Sequence, residues 1–163
     1  MSMPPTKLTH VLETCLYVKS KSESDSFYQD ILGLVPSTQS QRISVYPLDN
    51  TTLILFQLGL TLDDIHPEDH PEFTVPAHGP TQLIIDSIQS GIEQNGGQQR
   101  LQQHFCLAVP SRQDVERWEV YLKAKDVKIL GLMDWERGGR SVYFADPDGH
   151  IGEIGSRDIW THY

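Results

Sequence analysis

An internal repeat constrains this chain more than any other feature of its sequence. Glu13-Thr-Cys-Leu-Tyr-Val aligns with His104-Phe-Cys-Leu-Ala-Val at an offset of 91 residues, with Cys, Leu and Val coincident. The same offset pairs Phe27 with Trp118. Both hexapeptides alternate strand-forming residues, and each precedes a helical pattern. The first helix runs over 22–32 and is closed by Gly33; the second opens at Ser111 and runs to Lys125. Three strand signals follow each helix, near 34–38, 42–48 and 51–58 in the first half and at 127–130, 141–145 and 151–154 in the second. Each half therefore reads β, α, β, β, β. The expected fold is α+β, two βαβββ modules forming an open, barrel-like mixed sheet with the helices outside. The last strands align as well, Gln57-Leu58 with Glu153-Ile154, at an offset of 96.

A chain of 163 residues supports one well-cored domain. Within it, module one covers about 8–60 and module two about 103–157. Between them lies 61–102, longer than an ordinary connection, acidic where it begins and rich in Gln and Gly where it ends. Residues 83–88 have the pattern of a helical turn or short strand, but the surrounding composition reads as a mobile excursion or lid rather than a folded unit.

Charge narrows the partners. Twenty-two acidic residues against 13 basic ones give a formal charge of -9, which repels phosphate backbones and anionic lipid, so nucleic acid is excluded as a partner. No apolar run reaches the roughly 18–20 residues of a membrane span, and Met-Ser-Met-Pro-Pro-Thr-Lys at the N-terminus lacks a secretory apolar core. The expectation is a cytoplasmic protein without membrane partners. Cys15 and Cys106 lie inside strand patterns and form neither a zinc knuckle nor a disulfide framework.

Alternate side chains of a strand share a face. Glu13, Cys15 and Tyr17 therefore point one way, and His104, Cys106 and Ala108 take the matching face of the second half. With Glu153 on the last strand and Gln57 on its first-half counterpart, these residues present oxygen and nitrogen ligands suited to a divalent cation with open coordination positions. Spacing alone leaves a second reading open, in which His104 is a satisfied core histidine and both Glu residues are surface strand positions. Arg140 and Trp135 are candidates for binding an anionic or planar group, or else belong to a solvated hairpin around Gly138-Gly139.

The segments Glu13-Thr-Cys-Leu-Tyr-Val, Phe27-Tyr-Gln-Asp-Ile-Leu-Gly-Leu, His104-Phe-Cys-Leu-Ala-Val and Phe144-Ala-Asp-Pro-Asp-Gly-His-Ile-Gly-Glu-Ile together resemble the vicinal oxygen chelate superfamily. That superfamily includes glyoxalase I, fosfomycin-modifying thiol transferases, extradiol dioxygenases and bleomycin-binding proteins. Trp135-Glu-Arg-Gly-Gly-Arg-Ser-Val-Tyr-Phe and the ending Trp160 to Tyr163 resemble uncharacterised glyoxalase-like members. The resemblance spans nearly the whole chain outside 61–102. It implies metal ligands at Glu13, His104 and Glu153, with Gln57 as a fourth, around Zn, Ni, Mn, Mg or Fe. His10 lies three residues too early for the first ligand position, and a strand reverses its faces over that distance. The resemblance also implies substrate contacts at Tyr143, Ser141 and Cys15, and a homodimer.

The function expected on these grounds is that of a metal-dependent lyase or isomerase. It would act on a small substrate with vicinal oxygens, with Glu153 and then Glu13 as candidates for the catalytic base. Two alternatives are a sequestering protein of the bleomycin-binding type and a non-haem iron dioxygenase.

Overall fold

The computed structural model describes residues 5–163 except 92, 95, 96 and 99, with backbone alone at 93, 94, 97 and 98. The first module opens with β1 (Glu13–Val18), followed by α1 (Lys21–Ser26), which continues as one π-helical stretch over Phe27–Ile31. After these come β2 (Thr38–Gln39), β3 (Ile43–Leu48) and β4 (Thr51–Gln57). The intervening segment holds α2 (Gln82–Gln89) and the two-residue strands β5 (Glu93–Gln94) and β6 (Gly97–Gln98). The second module comprises β7 (His104–Val109), α3 (Arg112–Ala124), β8 (Ile129–Asp134), β9 (Arg140–Ala145) and β10 (Ile151–Ser156).

The repeat is visible in the topology. One sheet has the order β1-β4-β3-β2 and the other β7-β10-β9-β8. In each, the first strand lies parallel to the last and the remaining pairs are antiparallel. The α+β class and the βαβββ order agree with expectation, while the two sheets stay separate and do not close into one barrel. The first strand begins at Glu13, five residues after the start expected for module one. Its partner β4 starts at Thr51, and Glu13 is already opposite Thr52, so no strand is left to pair with residues further upstream. Leu8, Val11 and Leu12 are accordingly exposed.

Alternation along the strands decides what is buried. Leu16, Val18, Tyr46, Leu53 and Leu55 cover the helix side of the first sheet, where Tyr28 and Leu32 pack. Phe105, Val142, Phe144 and Ile154 do the same in the second, beneath Val115 and Leu122. All of these join in a single core. Tyr28 and Phe105 meet across the modules with ring centroids 6.1 Å apart, as do Phe27 and Phe144.

A polar seam accompanies this contact. The Asp146-Pro-Asp-Gly turn reaches across to module one, where Asp148 accepts hydrogen bonds from the Lys19 amide at 2.8 Å and the Ser24 hydroxyl at 2.8 Å. Tyr28 donates to Asp146 at 3.1 Å. Burial holds the Asp146 carboxyl above its ordinary range, and the neighbouring His150 only partly opposes this. His150 is fully buried, accepts from the Gln103 amide through Nδ1 at 3.2 Å, and therefore donates through Nε2 to the Tyr17 carbonyl at 3.0 Å. Gln103 adds two bonds, accepting from the Tyr17 amide and donating to the Cys15 carbonyl. The Asp146-Pro-Asp-Gly turn is thus a joint between the modules.

The segment 61–102 is more folded than its composition suggests. Ile85 and Ile88 of α2 are buried with Leu58 against Tyr17, Leu62 and Leu101. Thr61 and His78 clasp each other through two hydrogen bonds, and Tyr17 Oη lies 2.7 Å from His78 Nδ1. Gly79 lies so close to Tyr17 that a Cβ there would be 2.3 Å from the ring, and its φ of +91° is one that glycine adopts without strain. No helix among the described residues is long and apolar enough to cross a membrane.

Candidate functional site

Strand register decides which side chains meet. In the second module Ile151 lies opposite His104 and Glu153 opposite Cys106, so His104 and Glu153 share the face turned away from the core. On β9 the same face carries Tyr143, directly opposite Glu153, and Ser141. His104 Nε2 stands 3.3 Å from Glu153 Oε2; the imidazole is half exposed while the carboxylate side chain is 7% exposed.

The tautomer of His104 follows from its other nitrogen. Nδ1 is 3.0 Å from the Ile151 carbonyl oxygen, which only accepts, so Nδ1 carries hydrogen. In the neutral ring Nε2 then presents a lone pair to a carboxylate oxygen. Two such groups at this distance repel unless a proton or a cation lies between them. Polar groups surround the rest of Glu153. Ser141 Oγ donates to Oε1 at 2.5 Å, and Tyr143 lies directly opposite Glu153 in the strand pairing. Burial and then the charge of Glu153 hold the Tyr143 hydroxyl above its usual range. The Cys106 thiol also lies against Glu153. Desolvation first and the carboxylate second push it up to about 12, so it remains a neutral thiol rather than a nucleophile at neutral pH. Cys106 is the one member of this group that the sequence reading did not include among its site residues, although its face was legible from alternation.

The first module contributes differently. Glu13 is exposed, its side chain has no hydrogen bond or ion pair among the described residues, and it forms no metal-holding group with His104 and Glu153 there. Among the described residues no group of three or more His, Cys, Asp or Glu side chains is placed to hold a metal. Cys15 is free and half-buried beside Glu13, its thiol raised by burial and then by that carboxylate.

Gln57 is not a ligand in this arrangement. Cys15 pairs with Ile54 where Cys106 pairs with Glu153, so Ile54 occupies the place of Glu153, an offset of 99 rather than 96. Gln57 lies opposite Val18, and its amide accepts from the Lys21 amide at 3.0 Å and donates to the Lys19 carbonyl at 2.8 Å, tying down the start of α1.

Three expected substrate contacts also have other roles. Ser141 is fully buried, its hydroxyl committed to Glu153. Trp135 donates from Nε1 to Ser141 Oγ at 2.9 Å. Arg140 reaches Asp134 at 2.7 Å and Glu119 at 3.2 Å, which leaves its guanidinium neutralised within the fold. Tyr143 alone of the second-module set stays at the site with a partly open face. His10 precedes β1, exposed, with Nδ1 2.8 Å from Thr9 Oγ1.

The residues present suit a divalent cation in part. A neutral imidazole nitrogen and a carboxylate oxygen 3.3 Å apart match two neighbouring ligands with bonds of about 2.0–2.2 Å. Each is fixed from behind by a hydrogen bond. A third ligand is wanting among the described residues.

Comparison with known proteins bears on this arrangement. The family model described as Glyoxalase/Bleomycin resistance protein/Dioxygenase superfamily matches residues 7–154. No curated protein matches the chain. Among solved structures it is similar to a lactoylglutathione lyase from Agrobacterium tumefaciens, at 22% identity and a TM-score of 0.73, over 96% of this chain and 99% of that one. It also matches a glyoxalase-related enzyme from Fulvimarina pelagi, at 19% identity and a TM-score of 0.60, over 94% and 91% of the two chains. A genomically encoded fosfomycin resistance protein from Listeria monocytogenes follows, at 19% identity and a TM-score of 0.56, over 94% and 95%. At these identities the likeness is one of fold.

Proposed function

Because the chain belongs to the Glyoxalase/Bleomycin resistance protein/Dioxygenase superfamily, we propose that it is a metal-dependent enzyme of glyoxalase-like type. Its site is shared between two copies of the chain, with His104 and Glu153 supplied by one and Glu13 by the other. The observation that carries this reading is the placement of His104 Nε2 3.3 Å from Glu153 Oε2, with His104 Nδ1 held on the Ile151 carbonyl oxygen. The exposed, unpartnered carboxylate of Glu13 supports the shared site. It stands at the position equivalent to His104, and among the described residues it forms no metal-holding group with that pair.

A divalent cation bound there supplies Lewis-acid polarisation of two adjacent substrate oxygens. Glu153, fixed by Ser141, serves as an anchored ligand. Glu13 has no such ties, so it is the better placed of the two carboxylates to take the proton from the carbon between those oxygens, the reverse of the order expected from sequence. Tyr143, beside the His104 ring at 6.1 Å, offers a neutral hydroxyl to a substrate oxygen. The substrate class is a small molecule with vicinal oxygens, and the reaction class is lyase or isomerase. A cytoplasmic location accords with two free thiols.

Equilibrium dialysis of the purified protein against Zn, Ni, Mn, Mg and Fe(II), followed by elemental analysis, tests the reading. The expected result is about one tightly held ion per chain. Retention of none of them overturns the enzyme and leaves the sequestering alternative.

A further inference from the structure

We propose that Trp135 and Ser141 are positioning residues, a one-way donor relay that sets which oxygen of Glu153 faces His104; this rests on the metal-site reading above. The direction of the relay follows from its chemistry. An indole N–H only donates, so the bond from Trp135 Nε1 to Ser141 Oγ, 2.9 Å, occupies a lone pair of the serine and leaves the serine hydrogen for another acceptor. That acceptor is Glu153 Oε1 at 2.5 Å. With Oε1 fixed, Oε2 is the oxygen left to face His104 Nε2.

The segment between the two residues is built to hold them together. β8 and β9 pair with Asp134 opposite Arg140 and Met133 opposite Ser141. The hairpin is closed by the Trp135 amide on the Gly139 carbonyl at 2.8 Å and the Gly138 amide on the Trp135 carbonyl at 2.9 Å. Gly138 takes a φ of +102°. At Gly139 a Cβ would approach the Ile159 nitrogen to 2.6 Å, so the turn lies flat against the segment after β10. Arg140, paired with Asp134 and Glu119, fastens the hairpin to α3. The run from Trp135 to Ser141 is thus a single device for delivering one hydrogen to a buried carboxylate. Removal of an outer partner of a metal ligand typically weakens metal binding about 10–100-fold.

The test is a set of metal affinities, measured by competition with a chromogenic chelator, for the full-length wild type and for Ser141→Ala, Trp135→Phe, the double variant and Glu153→Gln. Each is corrected for the folded fraction by its melting curve. Ser141→Ala is expected to bind about 10–100-fold more weakly. Trp135→Phe, which keeps an aromatic ring but removes the N–H, should lose about three- to tenfold. If Trp135 acts through Ser141, adding Trp135→Phe to Ser141→Ala changes nothing further, a non-additivity that independent packing defects do not produce. Wild-type affinity in both single variants, alongside loss in Glu153→Gln, overturns the relay and leaves the metal site standing. So does strict additivity. Equal affinity in wild type and Glu153→Gln, or binding by neither, overturns the site and the relay together.

Discussion

Glu153→Gln is expected to lower metal affinity by more than the roughly 10–100-fold that loss of an outer-shell partner costs, because it removes a charged ligand. The substitution keeps the shape of the side chain and an oxygen that can accept from Ser141, so the fold should be preserved. Its effect on stability should grow when metal is present. In metal-free buffer a proton bridges the 3.3 Å between His104 Nε2 and Glu153 Oε2. The amide weakens that contact, and the variant should melt at or slightly below the wild-type temperature. With metal at about 1,000 times its dissociation constant, the wild type gains about 4 kcal/mol through binding, and a variant more than 100-fold weaker gains about 1.4 kcal/mol or less. Melting curves of both proteins with a chelator and with added metal check this. A variant that is equally destabilised in both conditions would show that Glu153 has a structural role alone.

The second large effect is on folding. His150→Ala removes a fully buried ring that donates to the Tyr17 carbonyl and accepts from the Gln103 amide, where the modules meet. The substitution leaves a cavity and takes a partner from two half-buried backbone groups, at a combined cost of about 3–5 kcal/mol. For a chain of this length that corresponds to a fall of roughly 10 °C in melting temperature. His162→Ala, at an exposed position, should stay within about 0.5 kcal/mol of wild type. Calorimetry of the two variants makes the comparison, and equal melting temperatures would contradict the structural role given to the joint.

Much of this architecture was legible in the sequence because strand alternation and the repeated Cys-Leu-x-Val pattern are local signals. They place Glu13 and His104 at equivalent positions, and the register agrees, with Thr52 and Ile151 as their respective partners. Gln57 misled because an offset of 96 looks plausible across a loop of unknown length. Pairing with β1 shows that the equivalent of Glu153 is Ile54, three residues away and on the opposite face from Gln57. The helix α2 was obscured by the Gln- and Gly-rich composition around it, although Ile85 and Ile88, three residues apart, carry a helical period. Ser141 read as a substrate contact because the resemblance implies one there, and Trp135 because its ring suits a planar group. That their hydrogens are committed to one another and to the carboxylate depends on a hairpin turn and on burial, which no local pattern reports. Nor does a repeat say whether its two faces meet within one chain or between two.

That last point is the central claim, and mixing two inactive variants tests it most directly. Glu13→Ala lacks the ligand from module one in both sites of a dimer, and His104→Ala lacks the one from module two, so each protein alone should hold almost no metal. Random reassociation makes half of the dimers mixed, and each mixed dimer has one site with both defects and one with neither. The account predicts that the mixture recovers about a quarter of the wild-type metal content. A mixture that binds no more metal than its separate components would contradict the shared site.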